Sequence, residues 1–264
     1  MTGIATGGRR RALWITVFWL AIGIVSFVLG VQNEIGQRAE DIALNAAEFT
    51  TNPPPPLNLV SPASIAVALL VLGITALFAH GVQRAILVVL LPAAAIATSQ
   101  LLKLHLLTRP ELFELDAPNT FPSGHMTVFT ALTAALIWAV PAGIRALVAV
   151  AGTVLLGVVS WQLLAYGWHR PSDVFGALAL GVVAFALAGL ARPARVRGAV
   201  VLGSTISIGL ALVGWIVVFG ALILAGVAAL RGNADLMLTA AEFGGVGASA
   251  LASRALLLLS AGRD

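Results

Sequence analysis

The chain contains no cysteine, and only 10% of its 264 residues are charged. The first absence excludes a disulfide framework and thiolate chemistry, and it removes redox usage as a guide to compartment. The second, together with 59% apolar residues and a mean hydropathy of +1.01, excludes a soluble globule with a polar skin. Period-2 alternation is missing too, so a membrane β-barrel is not expected. Within lipid the helix then remains as the way to satisfy every backbone N–H and C=O. No nucleotide loop, metal-ligand cluster or nucleic-acid signature is present, so no cofactor, metal or nucleic-acid partner is expected, and the pI of 11.0 reflects membrane anchoring by arginine.

What is there is a series of apolar runs. They lie at 13–32, 61–79, 85–106, 125–141, 144–167, 171–191, 200–228 and 243–261, each close to the roughly 20 residues a helix needs to cross a bilayer. The expectation is an all-α integral membrane protein, a polytopic bundle of about eight transmembrane helices. The first run lacks a small-residue cleavage site and is read as an anchor, not as a removable signal peptide.

If the spans alternate, Arg9, Arg10, Arg11, Arg84, Arg145, Arg192, Arg195, Arg197 and Arg263 share one side. By the positive-inside rule that side is cytoplasmic, with both termini on it. Glu34, Glu40, Asp41, Glu48, Glu111, Glu114, Asp116, Asp173, Asp235 and Glu242 then fall outside. Arg254 lies within the last span and needs a partner or a route to the interface. "DIALNAAEF" (41–49) and "DLMLTAAEF" (235–243) match at six of nine positions. The match reads either as coincidence in an Ala/Leu-rich chain or as two duplicated amphipathic helices lying on the outer surface. "TTNPPPPLNL" (50–59) reads as a stiff, extended spacer.

Three outward segments hold the chemistry: "KLHLLTRPEL" (103–112), "NTFPSGHMT" (119–127) and "GWHRPSD" (167–173). Ionisable groups at a membrane interface are expensive, so their convergence points to a site. In the second segment, Pro122 suits a first helical turn. Ser123, Gly124 and His125 then present backbone N–H groups to an anion at the positive end of the helix dipole. The alternative is an ordinary helix start capped by Asn119 or Ser123. In the third, Pro171 opens a helix with Asp173 in its first turn. The four-residue spacing from His169 lets the carboxylate hold one imidazole nitrogen and leave the other as nucleophile or base. His80 and His105 read as structural, and Trp168 as an interfacial anchor.

"RP", "PSGH" and "H", three residues, "D", in this order and in outward loops, resemble the type 2 phosphatidic acid phosphatase family over residues 61–191. The resemblance implies a six-helix phosphatase core and metal-independent hydrolysis of a phosphomonoester or diphosphate through a phosphohistidine. It makes His169 the nucleophile, Asp173 its orienting partner and His125 the general acid, with Arg109, Ser123 and Gly124 on the phosphate oxygens. Residues 1–60, an anchor span with an amphipathic and proline-rich outer segment, and 192–264, a pair of spans, flank that core.

The chain departs from the family pattern twice. Lys103 stands one position too close to Arg109, about 100° out of phase on a regular helix, so it reaches phosphate only if the backbone unwinds before Arg109. Leu163 occupies the position of a phosphate-binding arginine. Arg170 either supplies that charge from another direction or anchors lipid headgroups. The expected substrate is a lipid phosphate or lipid diphosphate, polyprenyl chains included, met at the outer face of the cytoplasmic membrane. A phosphotransferase on the same scaffold and a catalytically silent lipid-binding or transport protein are the other readings.

Because the chain has no native cysteine, sidedness is directly measurable. Asn52→Cys should react with a membrane-impermeant maleimide added outside intact cells, and Ala194→Cys should not. The reverse pattern would put the three segments in the cytoplasm.

Overall fold

The computed structural model describes residues 3–112, 118–191 and 201–261. Glu114, Asp116, Arg192, Arg195, Arg197 and Arg263, used above in sorting charge, lie outside them. Among the described residues there is no strand. The described residues form nine α-helices: α1 (Gly3–Ser26), α2 (Glu34–Asn45), α3 (Pro62–His80), α4 (Val82–Leu101), α5 (Gly124–Ala139), α6 (Arg145–Ala165), α7 (Pro171–Ala191), α8 (Val201–Arg231) and α9 (Ala234–Ser260). Two π-helical turns, Phe27–Val31 and Leu102–Leu106, prolong α1 and α4.

Seven of these helices are long and apolar enough to cross a membrane, and α5 is a shorter apolar helix. Leu13 and Trp14 on α1, Leu70 and Phe78 on α3, and Ile216 and Ile223 on α8 are exposed. Such a surface would aggregate in water and suits hydrocarbon. The centre is α5 with α7: Trp138 and Phe185, both wholly buried, meet edge to face at 4.9 Å. At 1.5 Å per residue α5 is about 24 Å long, short of the roughly 30 Å hydrocarbon core.

The flanking segments are not appendages. α1 lies along α7, and α9 packs on α6, α7 and α8. Gly30, in the first π turn, permits a close approach: a Cβ there would sit 2.5 Å from the Ser172 Cβ and 2.9 Å from a Glu40 carboxylate oxygen. α2 is a true amphipathic helix. Asn33 caps it by accepting from the Ile35 and Gly36 N–H groups.

The 235–243 half of the repeat is different. It forms the first turns of the continuous helix α9, whose N-cap is Asn233, and is not a separate surface helix. The two matched segments are therefore unlike elements, though Glu48 and Glu242, at equivalent positions, lie close enough to repel. Residues 50–59 are strapped down: the Gln162 amide donates to the Pro55 carbonyl at 3.0 Å and Leu57 is buried.

At the opposite end from the three motif segments, arginines close helix C-termini. Arg145 donates to the carbonyls of Val140 (3.2 Å) and Ser260 (3.0 Å), and Arg84 to that of Trp138 (3.4 Å). Cations at carbonyl ends satisfy orphan acceptors and the helix dipole together. Arg254 finds its partner within the bundle, donating to the Ser207 carbonyl of α8 at 3.1 Å.

Gly30→Leu places a side chain where no space exists. It should lower the stability of the detergent-solubilised protein by about 1–3 kcal/mol, the range for overpacking, read as a lower melting temperature. An unchanged melting temperature would mean that α1 does not dock on α7 at this point.

Candidate functional site

Asp173 organises the site. It stands in the first turn of α7 and is fully buried. One carboxylate oxygen, Oδ2, accepts three hydrogen bonds: from the Thr120 hydroxyl at 2.6 Å, the Arg170 backbone N–H at 3.0 Å and His169 Nδ1 at 3.1 Å. Its backbone carbonyl accepts from the Ser123 N–H at 3.0 Å. The expected four-residue pairing with His169 is therefore formed. Thr120, which spacing did not single out, ties the second motif segment to the third.

Fixing Nδ1 as the donor leaves Nε2 as the imidazole nitrogen with a lone pair. His169 is held from its own N-terminal side as well. The Trp168 and His169 N–H groups both donate to the Leu163 carbonyl, at 3.0 and 3.1 Å. Gly167 makes that turn at φ +67°, and a Cβ there would meet the Phe49 ring at 2.9 Å. Leu163 itself points into the hydrophobic core, so its position serves packing and the end of α6.

Ser123 is the cap of α5, its hydroxyl oxygen accepting from the Met126 N–H. Pro122 accordingly precedes the cap and is not in the first turn. Since the Ser123 N–H is taken by Asp173, the backbone donors at this helix start are those of Gly124 and His125, fewer than expected. Asn119 is not the cap: its amide donates to the Lys103 and Leu107 carbonyls at 3.2 and 2.9 Å. His125 packs edge to face on Trp168, centroids 5.4 Å apart, within electrostatic range of His169 and Lys103. Trp168 in turn donates to the Thr50 carbonyl at 2.8 Å; it positions His125 and is not a simple interfacial anchor.

Lys103 falls in the second π turn, after which Leu107 is extended, at φ −111° and ψ 138°. The helix thus widens and then ends before Arg109, which is the unwinding that the short Lys–Arg spacing demands. π turns recur at functional sites because they re-aim side chains. The Lys103 charge reaches Asp173 and His125. The Arg170 side chain is buried, which does not suit a headgroup anchor at the surface.

Sequence reasoning missed the contribution of α2. The buried Gln37 amide donates to the Val31 and Pro110 carbonyls, both at 2.8 Å, and the Gln32 amide donates to that of Thr108 at 2.6 Å. These bonds clamp the loop that carries Arg109. Glu40 then enters the site. One oxygen accepts from the Ser172 N–H at 2.7 Å, filling a donor at the start of α7. The other lies 3.9 Å from Arg109 Nη1, beyond hydrogen-bond length. Burial, and then the Asp173 charge, push the Glu40 carboxyl from 4.5 up to about 7, against the hydrogen bond from Ser172 and the charge of Arg109. The one advance signal was an amphipathic helix with a carboxylate on its apolar side.

A carboxyl whose proton is held more tightly in the folded state stabilises that state most below pH 4.5 and loses the contribution as pH rises through about 7. The share due to Glu40 is about 3 kcal/mol over this window. Melting temperatures of wild type and Glu40→Gln, measured between pH 4.5 and 7, should diverge: the wild type declines with rising pH and the amide variant is flatter. Parallel curves would mean that the Glu40 carboxyl binds its proton no more tightly in the folded than in the unfolded chain.

Comparison with models of known protein families, with curated proteins and with solved structures returns no match.

Proposed function

We infer that the chain is a membrane phosphatase acting on a lipid phosphate or lipid diphosphate, with the site at the outer face of the cytoplasmic membrane. The observation that carries this reading is the buried His169–Asp173 pair at 3.1 Å, set beside a second histidine and the cations Lys103 and Arg109. The order of the three motif segments supports it, and the resemblance to the type 2 phosphatidic acid phosphatases supplies the reaction.

In that reaction His169 Nε2 attacks phosphorus, forming a P–N bond as the P–O bond to the lipid breaks. His125 protonates the departing oxygen. Water, deprotonated by His125, then attacks the phosphohistidine, releasing inorganic phosphate and restoring the free imidazole. Asp173 stabilises the imidazole as charge develops on it. Lys103, Arg109 and the Gly124 N–H offset charge on the phosphate oxygens, the main demand of phosphoryl transfer. Arg170 is a further cation of this segment, where Leu163 offers none.

His169→Ala should abolish phosphate release from purified protein while the protein still extracts as a folded species. His125→Ala should lower the rate about a hundredfold or more when the leaving group is poor. Asp173→Asn should be milder than His169→Ala, because orientation suffers and the nucleophile stays. EDTA should leave the rate unchanged. Phosphate release at the wild-type rate from His169→Ala would end the phosphohistidine mechanism. Loss of activity on chelation, restored by Mg²⁺, would transfer charge compensation from Arg109 and Lys103 to an ion.

A further inference from the structure

A cavity of about 460 Å³ lies between α1, α7, α8 and α9 under the roof of α2, a size typical of sites for small organic molecules. Its walls are apolar, with Phe18, Trp19 and Phe175 among them; apart from indole nitrogens, the polar side chains lining it are those of Ser26 and Glu40. On α9 it runs from Met237 to Leu251, about 21 Å along the axis at 1.5 Å per residue. That is a slot, not a bowl. It spans some two thirds of the roughly 30 Å hydrocarbon layer.

Three features choose its occupant. The void exists because α8 and α9 face it with Ala221, Ala225, Ala240, Ala241 and Gly244, so two adjacent helices leave unfilled space where larger residues would have closed it. Its flank is open: Trp215 and Leu222, in the α8 wall, are 39% and 61% exposed, on a helix whose outer surface suits lipid. An apolar slot open to a bilayer is filled by hydrocarbon, not by water. Its polar end, at Glu40 and Pro171, adjoins Ser172 and the segment that holds His169 and Asp173. Pro171, in the wall of the slot, is two residues from both His169 and Asp173, so the slot's polar end borders the segment that carries the reacting groups.

We propose that this slot binds the aliphatic chain of the phosphate ester, so that α1, α8 and α9 select long-chain substrates while the His169 site performs the chemistry. The assignment rests on the phosphatase reading. A bulk membrane lipid offers the same hydrocarbon, but nothing would bring its headgroup to Glu40; the substrate chain is tethered there by its own phosphate.

The test uses the full chain in phosphatidylcholine nanodiscs, with Ala225→Phe and Ala241→Phe each filling the slot from a different helix, neither being among the reacting groups. Wild type and variants are compared on hexadecyl phosphate and on p-nitrophenyl phosphate, and melting temperatures confirm folding. The variants should raise KM for hexadecyl phosphate about tenfold or more, since methylenes excluded from an apolar site lose their transfer energy. kcat/KM for p-nitrophenyl phosphate should be unchanged. A second readout needs no turnover: hexadecyl phosphate brominated along its chain should quench tryptophan fluorescence saturably in wild type, less after Trp19→Phe, and weakly in the filled variants. Equal effects on both substrates, or quenching that brominated phosphatidylcholine matches and unbrominated hexadecyl phosphate cannot displace, would overturn the proposal. Should the wild type hydrolyse no phosphate ester, the phosphatase reading falls, and saturable quenching by the alkyl phosphate still decides for or against the slot.

Discussion

A carboxylate with no exposed surface, in the first turn of a helix that crosses the bundle, is the constraint around which the site is arranged. An isolated buried charge is so costly that it must be neutralised or surrounded by donors. Asp173 takes the second course. Its donors come from the Thr120 hydroxyl, the Arg170 backbone and the His169 ring, and its own carbonyl holds the N–H at the cap of α5. One residue thus joins the start of α5, the turn after α6 and the start of α7. The orientation of the His169 imidazole follows from solvating this group.

Glu40 extends the arrangement to the N-terminal segment. Burial, and after it the nearby charge of Asp173, makes the Glu40 carboxyl hold its proton up to about pH 7. Its position is specified nonetheless. The clamp of Gln32 and Gln37 on the 108–110 loop and the close approach allowed by Gly30 leave α2 one place to lie. α2 is therefore at once the support for Arg109 and the roof of the apolar cavity.

The two ends of the bundle solve opposite electrostatic problems. At one end Arg84 and Arg145 complete helix C-termini by donating to carbonyls. At the other, helix N-termini carry Asp173 and the donors of Gly124 and His125, where anions are favoured. The same dipole rule places cations at one end and leaves the other favourable to anions.

The amino-acid sequence by itself determined the apolar spans, the His169–Asp173 pair and the opening of α7 at Pro171. Each depends on hydrophobicity, spacing or backbone chemistry within a few residues, and these act before any tertiary contact exists. It also made Lys103 conditional on a local unwinding, without saying that a π turn would supply it. The tertiary structure alone decided that Thr120 and Glu40 belong to the site, that 235–243 continues into α9, and that the Ser123 N–H is used internally. Only packing likewise left a slot between α1, α7, α8 and α9. These outcomes join residues far apart in the chain, 133 positions in the case of Glu40 and Asp173, and no periodicity reports which apolar face meets which. A small side chain in the sequence is the same whether a neighbour closes over it or leaves a cavity.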